Sequence, residues 1–481
     1  MWRLTQHVEH DLPLSLTGAP SNTFGRPFKI KGSIQMWDVD IVVRELVLNA
    51  GSAGKRSMGN WGDLADAFNH IRALENAISD RNLDENNVLR HLHRIVHQQF
   101  PWQTPTNVTT MIRYHKIFSM PELEAIVQAK LGLSVTQFYQ MALATAGNFR
   151  TKPGMTTNSD YELLGISHEA STSFFNRMCT DIPALKTETI ATQTYDQAWP
   201  FSFNPLRDRP LIRFDRHHLE RVICPIPSFL MRRVSDGLYY DICNEPGFDN
   251  AFGASFEVYV GEVLSMFFKE PHATVRSAAS YEDGKQHKHG IDWIVTDGTA
   301  NLFIECKTKR LRLAAKFSED NDELGKDLHK MAGFIVQTYK NILDALSGKT
   351  TWQTNELPTY PLIVTMEDWW LFSPPIVEQL DKKVHELLAA AGLDVEITDS
   401  MPYTVTSVAE IEISAQIMAK TGIAPFLAHK TDAEHRQWAI SGFSSERYRE
   451  ELKTVNHRIF NDEWLDLSSQ MGGIQLQNKP G

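Results

Sequence analysis

Two carboxylates and an ammonium stand close together in one short stretch of this 481-residue chain. From His289 it reads His-Gly-Ile-Asp-Trp-Ile-Val-Thr-Asp-Gly-Thr-Ala-Asn-Leu-Phe-Ile-Glu-Cys-Lys. Asp292, Glu305 and Lys307 are the positions that could do chemistry. Carboxylate oxygens are the ligands that Mg²⁺ or Mn²⁺ prefers, and such a cation polarises phosphoryl oxygens and acidifies water. A neighbouring lysine can stabilise the charge that builds on a phosphate under attack, or help to deprotonate the attacking water. That combination suits phosphodiester hydrolysis.

The flanking residues must bring the three together. Ile291 to Thr296 reads as one strand, Asp297-Gly298 as a turn, and Leu302 to Lys307 as a second strand. Alternation puts Glu305 and Lys307 on the face of Phe303, and turns the side chains of Ile304 and Cys306 the other way. Upstream, apolar residues at 252, 256, 259, 260, 263, 264 and 267 predict an amphipathic helix from Phe252 to Phe268. Glu257 falls at one edge of its apolar stripe and Glu262 on the other flank. Downstream, Leu328 to Leu346 reads as another amphipathic helix, which contains Gln337. Pro361 to Met366 reads as a buried strand. The order helix, strand, strand, helix, strand predicts an α/β core with helices on both sides of a mixed sheet.

Asp292 followed by Glu305-Cys306-Lys307 resembles the PD-(D/E)XK, or restriction endonuclease-like, nuclease superfamily. The resemblance covers roughly residues 246 to 380, about a quarter of the chain. Ile291 departs from the proline that often precedes the first acid. The resemblance implies that Asp292, Glu305, Glu257 and the backbone carbonyl of Cys306 hold Mg²⁺ or Mn²⁺. It implies Lys307 as a catalytic residue and Gln337 as a support that orients Lys307 or a phosphate. In-line attack would leave a 5′-phosphate, with DNA the favoured substrate, in a restriction or phage-defence effector. An RNA-directed nuclease remains open, as does an inactive nuclease-fold protein that binds or assembles.

Net charge and cysteine usage narrow the partners. The formal net charge is −11. Residues 1–245 hold 25 basic and 25 acidic side chains, so residues 246–481, with 23 and 34, carry the whole deficit. Attraction to a nucleic acid must then be local. The candidate is the cluster that follows the motif, with Lys309, Arg310 and Arg312 as the expected phosphate contacts. The four cysteines (179, 224, 243 and 306) include no C-x-x-C pair, which argues against a zinc ribbon or a disulfide framework. No secretory pattern opens the sequence and no spanning apolar run occurs. A reducing cytoplasm with no membrane partner is expected, and a homo-oligomer or a partner protein is left open. Gly54-Lys55 is not a phosphate loop, because Asn49 stands where a glycine is needed and Arg56 where Ser or Thr is.

The expected organisation is multidomain. Residues 1–205 form a mainly helical regulatory or sensing region, with a loop-rich stretch over 150–205. Residues 206–245 form a connector with strands at Leu211–Phe214, Arg221–Cys224 and Leu238–Ile242. Residues 246–430 form the nuclease-like domain, and 431–481 a C-terminal helix and frayed tail. Glu122 to Ala146 reads as helix, glycine turn, helix. Its second helix carries no basic residue, so a packing pair is expected rather than a DNA reader.

Overall fold

The structure, a computed structural model, describes residues 1–20, 30, 32–51, 53–83, 87–103, 108–318 and 320–472. It divides into two units, Met1–Phe248 with the segment from Phe460 on, and Asp249–Ile459. Among the described residues no helix is long and apolar enough to cross a membrane. The expected frayed tail falls partly on residues 473–481, outside the described residues, while Asn461–Gly472 is helical.

The first unit is mainly helical. The helix pair forms as Pro121–Leu131 and Val135–Phe149, broken at Gly132, whose φ of 69° favours glycine. Ser134 Oγ accepts from the Gln137 amide at 3.0 Å, and Gln137 Oε1 accepts from the Ser134 amide at 3.1 Å. This is a capping box that satisfies two otherwise unpaired helix donors. Val135 and Phe138 on the second helix are fully buried, so the pair packs. The 150–205 stretch is more regular than its composition suggests. It carries the helices His168–Met178 and Ile182–Thr192, each started by a side-chain cap, Ser167 and Asp181. Leu211–Arg213 and Arg221–Ile223 are strands. They join Gly154–Thr156 and Cys179–Asp181 in a four-stranded sheet inside this unit. Leu238–Ile242 is a helix instead, because its two end residues, four apart, both bury on one face.

The second unit is built on a five-stranded mixed sheet. Its strands are β1 (Ala273–Ser277), β2 (Trp293–Asp297), β3 (Asn301–Lys307), β4 (Thr359–Thr365) and β5 (Thr404–Ser407), in the spatial order β5-β4-β3-β2-β1. β1 pairs with β2 and β2 with β3 antiparallel, whereas β3, β4 and β5 run parallel. Every residue of β4 and all of β3 except Lys307 are buried, as expected of parallel strands covered on both faces. The β2–β3 turn is held by Asp297, whose carboxylate accepts from the amides of Thr299 and Ala300 at 2.7 and 2.8 Å.

Helices cover both faces. The first, α1 (Phe248–Phe267), precedes β1; α2 (Asn321–Leu346) follows β3, and α3 (Pro374–Ala390) follows β4. Leu328, Met331 and Ile335 of α2 pack with Leu380 and Val384 of α3 and with Ile363 of β4. Phe303 and Ile294 meet Ile342 and Ala345 of α2, so that face of the sheet belongs to α2 and α3. Trp293, next to Ile294, points to the opposite face, where its indole N–H donates to the Glu257 carbonyl of α1 at 2.9 Å. The approach requires Gly261, since a Cβ there would lie 2.0 Å from the Trp293 ring. Gly261→Ala should therefore cost at least the roughly 1–3 kcal/mol typical of an overpacked core. Urea melts monitored by tryptophan fluorescence would read it, and an unchanged midpoint would show that the contact yields freely. After β5, Val408–Thr421 is helical, and the chain continues through the short helices Ile440–Arg447 and Arg449–Leu452.

Candidate active site

The β2–β3 register sets the spacing of the acidic pair. Trp293 faces Ile304, and one further step along the ladder puts Asp292 opposite Glu305. Asp292 sits at a bend just before β2 and accepts a hydrogen bond from the Cys306 amide at 2.6 Å. In a strand the N–H and C=O of one residue point toward the same neighbour. The Cys306 carbonyl thus also faces the β2 side, beyond the point where β2 begins. Lys307 Nζ donates to Glu305 Oε1 at 2.5 Å and stands 5.3 Å from the centre of the Phe334 ring of α2.

Charge is crowded here. Glu305 is only 6% exposed, and its Oε2 is buried with no hydrogen-bond partner. Burial pushes its carboxyl above the ordinary range, and the Asp292 charge pushes it further, against the pull of Lys307. Asp292 is also raised, by burial and by Glu257, with the Cys306 amide opposing. Glu257 is raised by burial, with the Lys307 charge opposing and that of Glu305 adding. Lys307 shifts upward too. Burial works against its charge, but Glu305 outweighs burial by charge and by hydrogen bond. Without a metal, this favours its charged form.

Asp292, Glu305 and Lys307 are thus brought together, with Glu257 in electrostatic range. Glu257, not Glu262, is the α1 carboxylate among the principal charges acting on Asp292. Among the described residues no group of three or more His, Cys, Asp or Glu side chains is placed to enclose a metal ion. The donor set nonetheless fits Mg²⁺ or Mn²⁺. Mg²⁺ is commonly held by one or two carboxylates plus water and substrate phosphate, and the orphaned Glu305 Oε2 is a hard oxygen left without compensation. Gln337 is exposed on α2, and its amide donates to Asn341 at 3.0 Å within the same helix. It makes no bond to Lys307. Phe334 was not singled out in the sequence, although its place three residues before Gln337 was the available signal.

The basic trio is not a phosphate-facing cluster. Arg310 is 8% exposed and pairs with Glu367 at 2.9 Å, beside Lys316 at 3.3 Å. Burial opposes the Glu367 charge, but Arg310 and Lys316 outweigh it and hold that carboxyl below the ordinary range. Arg312 bonds Asp327 at 2.9 Å and Glu323 at 3.0 Å, tying the chain after β3 to the start of α2. These two arginines build the fold, whereas among the described residues Lys309 has no ion pair. Arg310→Ala is expected to cost about 3 kcal/mol, because it strands a largely buried carboxylate with Lys316 alone. Lys309→Ala should leave the melting temperature unchanged. Thermal melts of both variants test this, and equal midpoints would contradict it. Comparison of the chain with protein-family models, with curated proteins and with solved structures finds no match.

Proposed function

We propose that this protein is a divalent-metal-dependent nuclease of the PD-(D/E)XK type, with its active site in the 249–459 unit. One observation carries the reading. The buried Glu305 and the half-buried Asp292, just before β2, raise each other's charge cost, a lysine bonds Glu305, and one Glu305 carboxylate oxygen is left unpartnered. Such a pocket is destabilising in isolation and becomes favourable once a cation enters. The mixed sheet with helices on both faces agrees with the restriction endonuclease-like architecture that the motif implies.

Asp292 and Glu305 would hold the metal, with the Cys306 carbonyl beside them and Glu257 adding negative charge from α1. Bound there, Mg²⁺ or Mn²⁺ would polarise the phosphoryl group and acidify a water. Lys307, kept protonated by Glu305, would stabilise charge on the phosphate as it develops. The Cys306 amide would orient Asp292. DNA is the favoured substrate, and a restriction or phage-defence role follows from the superfamily alone.

The test is incubation with plasmid, linear duplex, single-stranded DNA and RNA, in Mg²⁺, Mn²⁺ or EDTA. Metal-dependent cleavage that EDTA abolishes is expected, and inertness toward all four would overturn the proposal. A second reading, a non-catalytic binding protein, is favoured by one point: among the described residues no third metal-ligating side chain joins the pair. Calorimetry separates the two, because the nuclease reading requires Mn²⁺ binding that is lost in Asp292→Ala.

A further inference from the structure

Lys307 ends β3 on the face that α2 covers. Phe303, on the same face, meets Ile342 and Ala345 of α2. From Phe303 to Lys307 the strand advances roughly 13 Å, at about 3.3 Å per residue. From Ile342 back to Phe334 the helix covers roughly 12 Å, at about 1.5 Å per residue. The matched advance of strand and helix brings Phe334 to Lys307, whose Nζ stands over the ring, 5.3 Å from its centre.

The ring is a fixture of the fold. Phe334 packs, partly buried, against the core that contains Met331, Ile335 and Ile363. Its carbonyl accepts from Thr338 Oγ1 at 2.9 Å, one turn on in a helix that continues to Leu346. The lysine is the mobile partner. Its charge sits at the end of a flexible four-carbon stem, and its side chain is 25% exposed.

Among the described residues, two contacts of different kinds hold Lys307. One is the hydrogen bond to Glu305 Oε1 at 2.5 Å, and the other is the ring of Phe334. A cation held by Glu305 would share that carboxylate with the ammonium. Its positive charge cancels much of the attraction between them and repels the ammonium directly. An aromatic ring has no net charge to neutralise, and its quadrupole still attracts an ammonium within about 6 Å of its centre. We propose that Phe334 is a positioning residue, whose ring face keeps the Lys307 ammonium at the site when the carboxylates are engaged by the metal. This rests on the nuclease reading, in which Lys307 stabilises charge that develops on phosphate. Without the ring the stem is free to swing toward solvent, and the charge is misplaced when the phosphate needs it.

The experiment is a double-mutant cycle between positions 307 and 334 in the full chain, read in two ways. Phe334→Leu removes the ring face and keeps apolar bulk. Phe334→Tyr keeps the face, and Lys307→Met keeps the stem without the charge. The first readout is Mg²⁺-dependent cleavage of whichever of plasmid, linear duplex, single-stranded DNA or RNA the wild type cuts. Phe334→Leu should lower kcat by roughly 2- to 30-fold with KM little changed. Phe334→Tyr should recover most of that loss, and in the Lys307→Met background Phe334→Leu should cost nothing further. The second readout is urea unfolding in EDTA, where coupling of the two positions should change the unfolding constant by roughly 2- to 5-fold. A wild-type kcat in Phe334→Leu, or an equal loss in both backgrounds, would overturn the proposal. So would an additive urea cycle, which leaves the nuclease reading standing if the wild type cleaves. An inert wild type with a coupled urea cycle sinks the nuclease reading, and the positioning role with it, while the contact itself stands.

Discussion

Glu305→Gln is expected to abolish metal-dependent cleavage and, in the absence of metal, to raise the melting temperature. The two effects have one cause. Glu305 is buried, with Oε2 unpartnered and Asp292 across the hairpin. Its carboxyl and that of Asp292 are both held above the ordinary range. Near neutral pH the folded protein therefore binds more protons than the unfolded chain. Metal-free stability must fall as the pH rises through the raised values, and the penalty is absent below the ordinary carboxylate range. The amide removes one of these titrations, at the cost of one hard ligand. Loss of an outer partner of a metal site commonly costs 10- to 100-fold in affinity or activity. Loss of a direct ligand should therefore exceed about 100-fold in rate. The stabilisation should be of the order of 1 kcal/mol, or about 2–4 °C for a unit of this size, at pH 8 and vanish at pH 4. Melts of both proteins at the two pH values, with EDTA or Mn²⁺, read every term. Cleavage at the wild-type rate, or a lower metal-free midpoint at pH 8, would count against the site as described.

Lys307→Ala should reduce the cleavage rate by about 100- to 1,000-fold, the usual effect of removing one preorganised donor to developing charge. Mn²⁺ affinity should not fall, since an ammonium is no metal ligand and its loss leaves the carboxylates more negative. Metal-free stability should drop, because Lys307 is the cation that Glu305 bonds at 2.5 Å. Lys307→Arg should recover stability better than rate. Its planar fork keeps the charge beside Glu305 and over Phe334, but carries its protons in a different geometry. Single-turnover rates and calorimetric Mn²⁺ titration separate the two roles. A wild-type rate in Lys307→Ala would leave the lysine as a counter-ion only.

Local patterning in the sequence determined the hairpin, the opposition of Asp292 and Glu305, and the place of Glu257 on the preceding helix. Covalent geometry is enough for these: strand side chains alternate with period two, Asp297 closes its own turn, and the apolar stripe of α1 orients its edge. The parallel partner β4 was legible for a similar reason, since a strand covered on both faces must be apolar throughout.

What the tertiary structure decided are the matters of which distant group meets which. Arg310 and Arg312 look like phosphate contacts because a charge in sequence carries no record of its partner. Asp327, 15 residues beyond Arg312, and Glu367, after β4, turn them inward. Gln337 is on the expected helix, but it is exposed there and Asn341, one turn on, takes its amide. The strands at Leu211–Arg213 and Arg221–Ile223 were visible, but their sheet was not, because edge pairing is chosen by whichever backbone is brought alongside. An aromatic cleft at the ends of β4 and β5 left no sequence trace at all. Its walls come from residues as far apart as Trp370 and Trp438, and only the closing of the sheet sets them around one space.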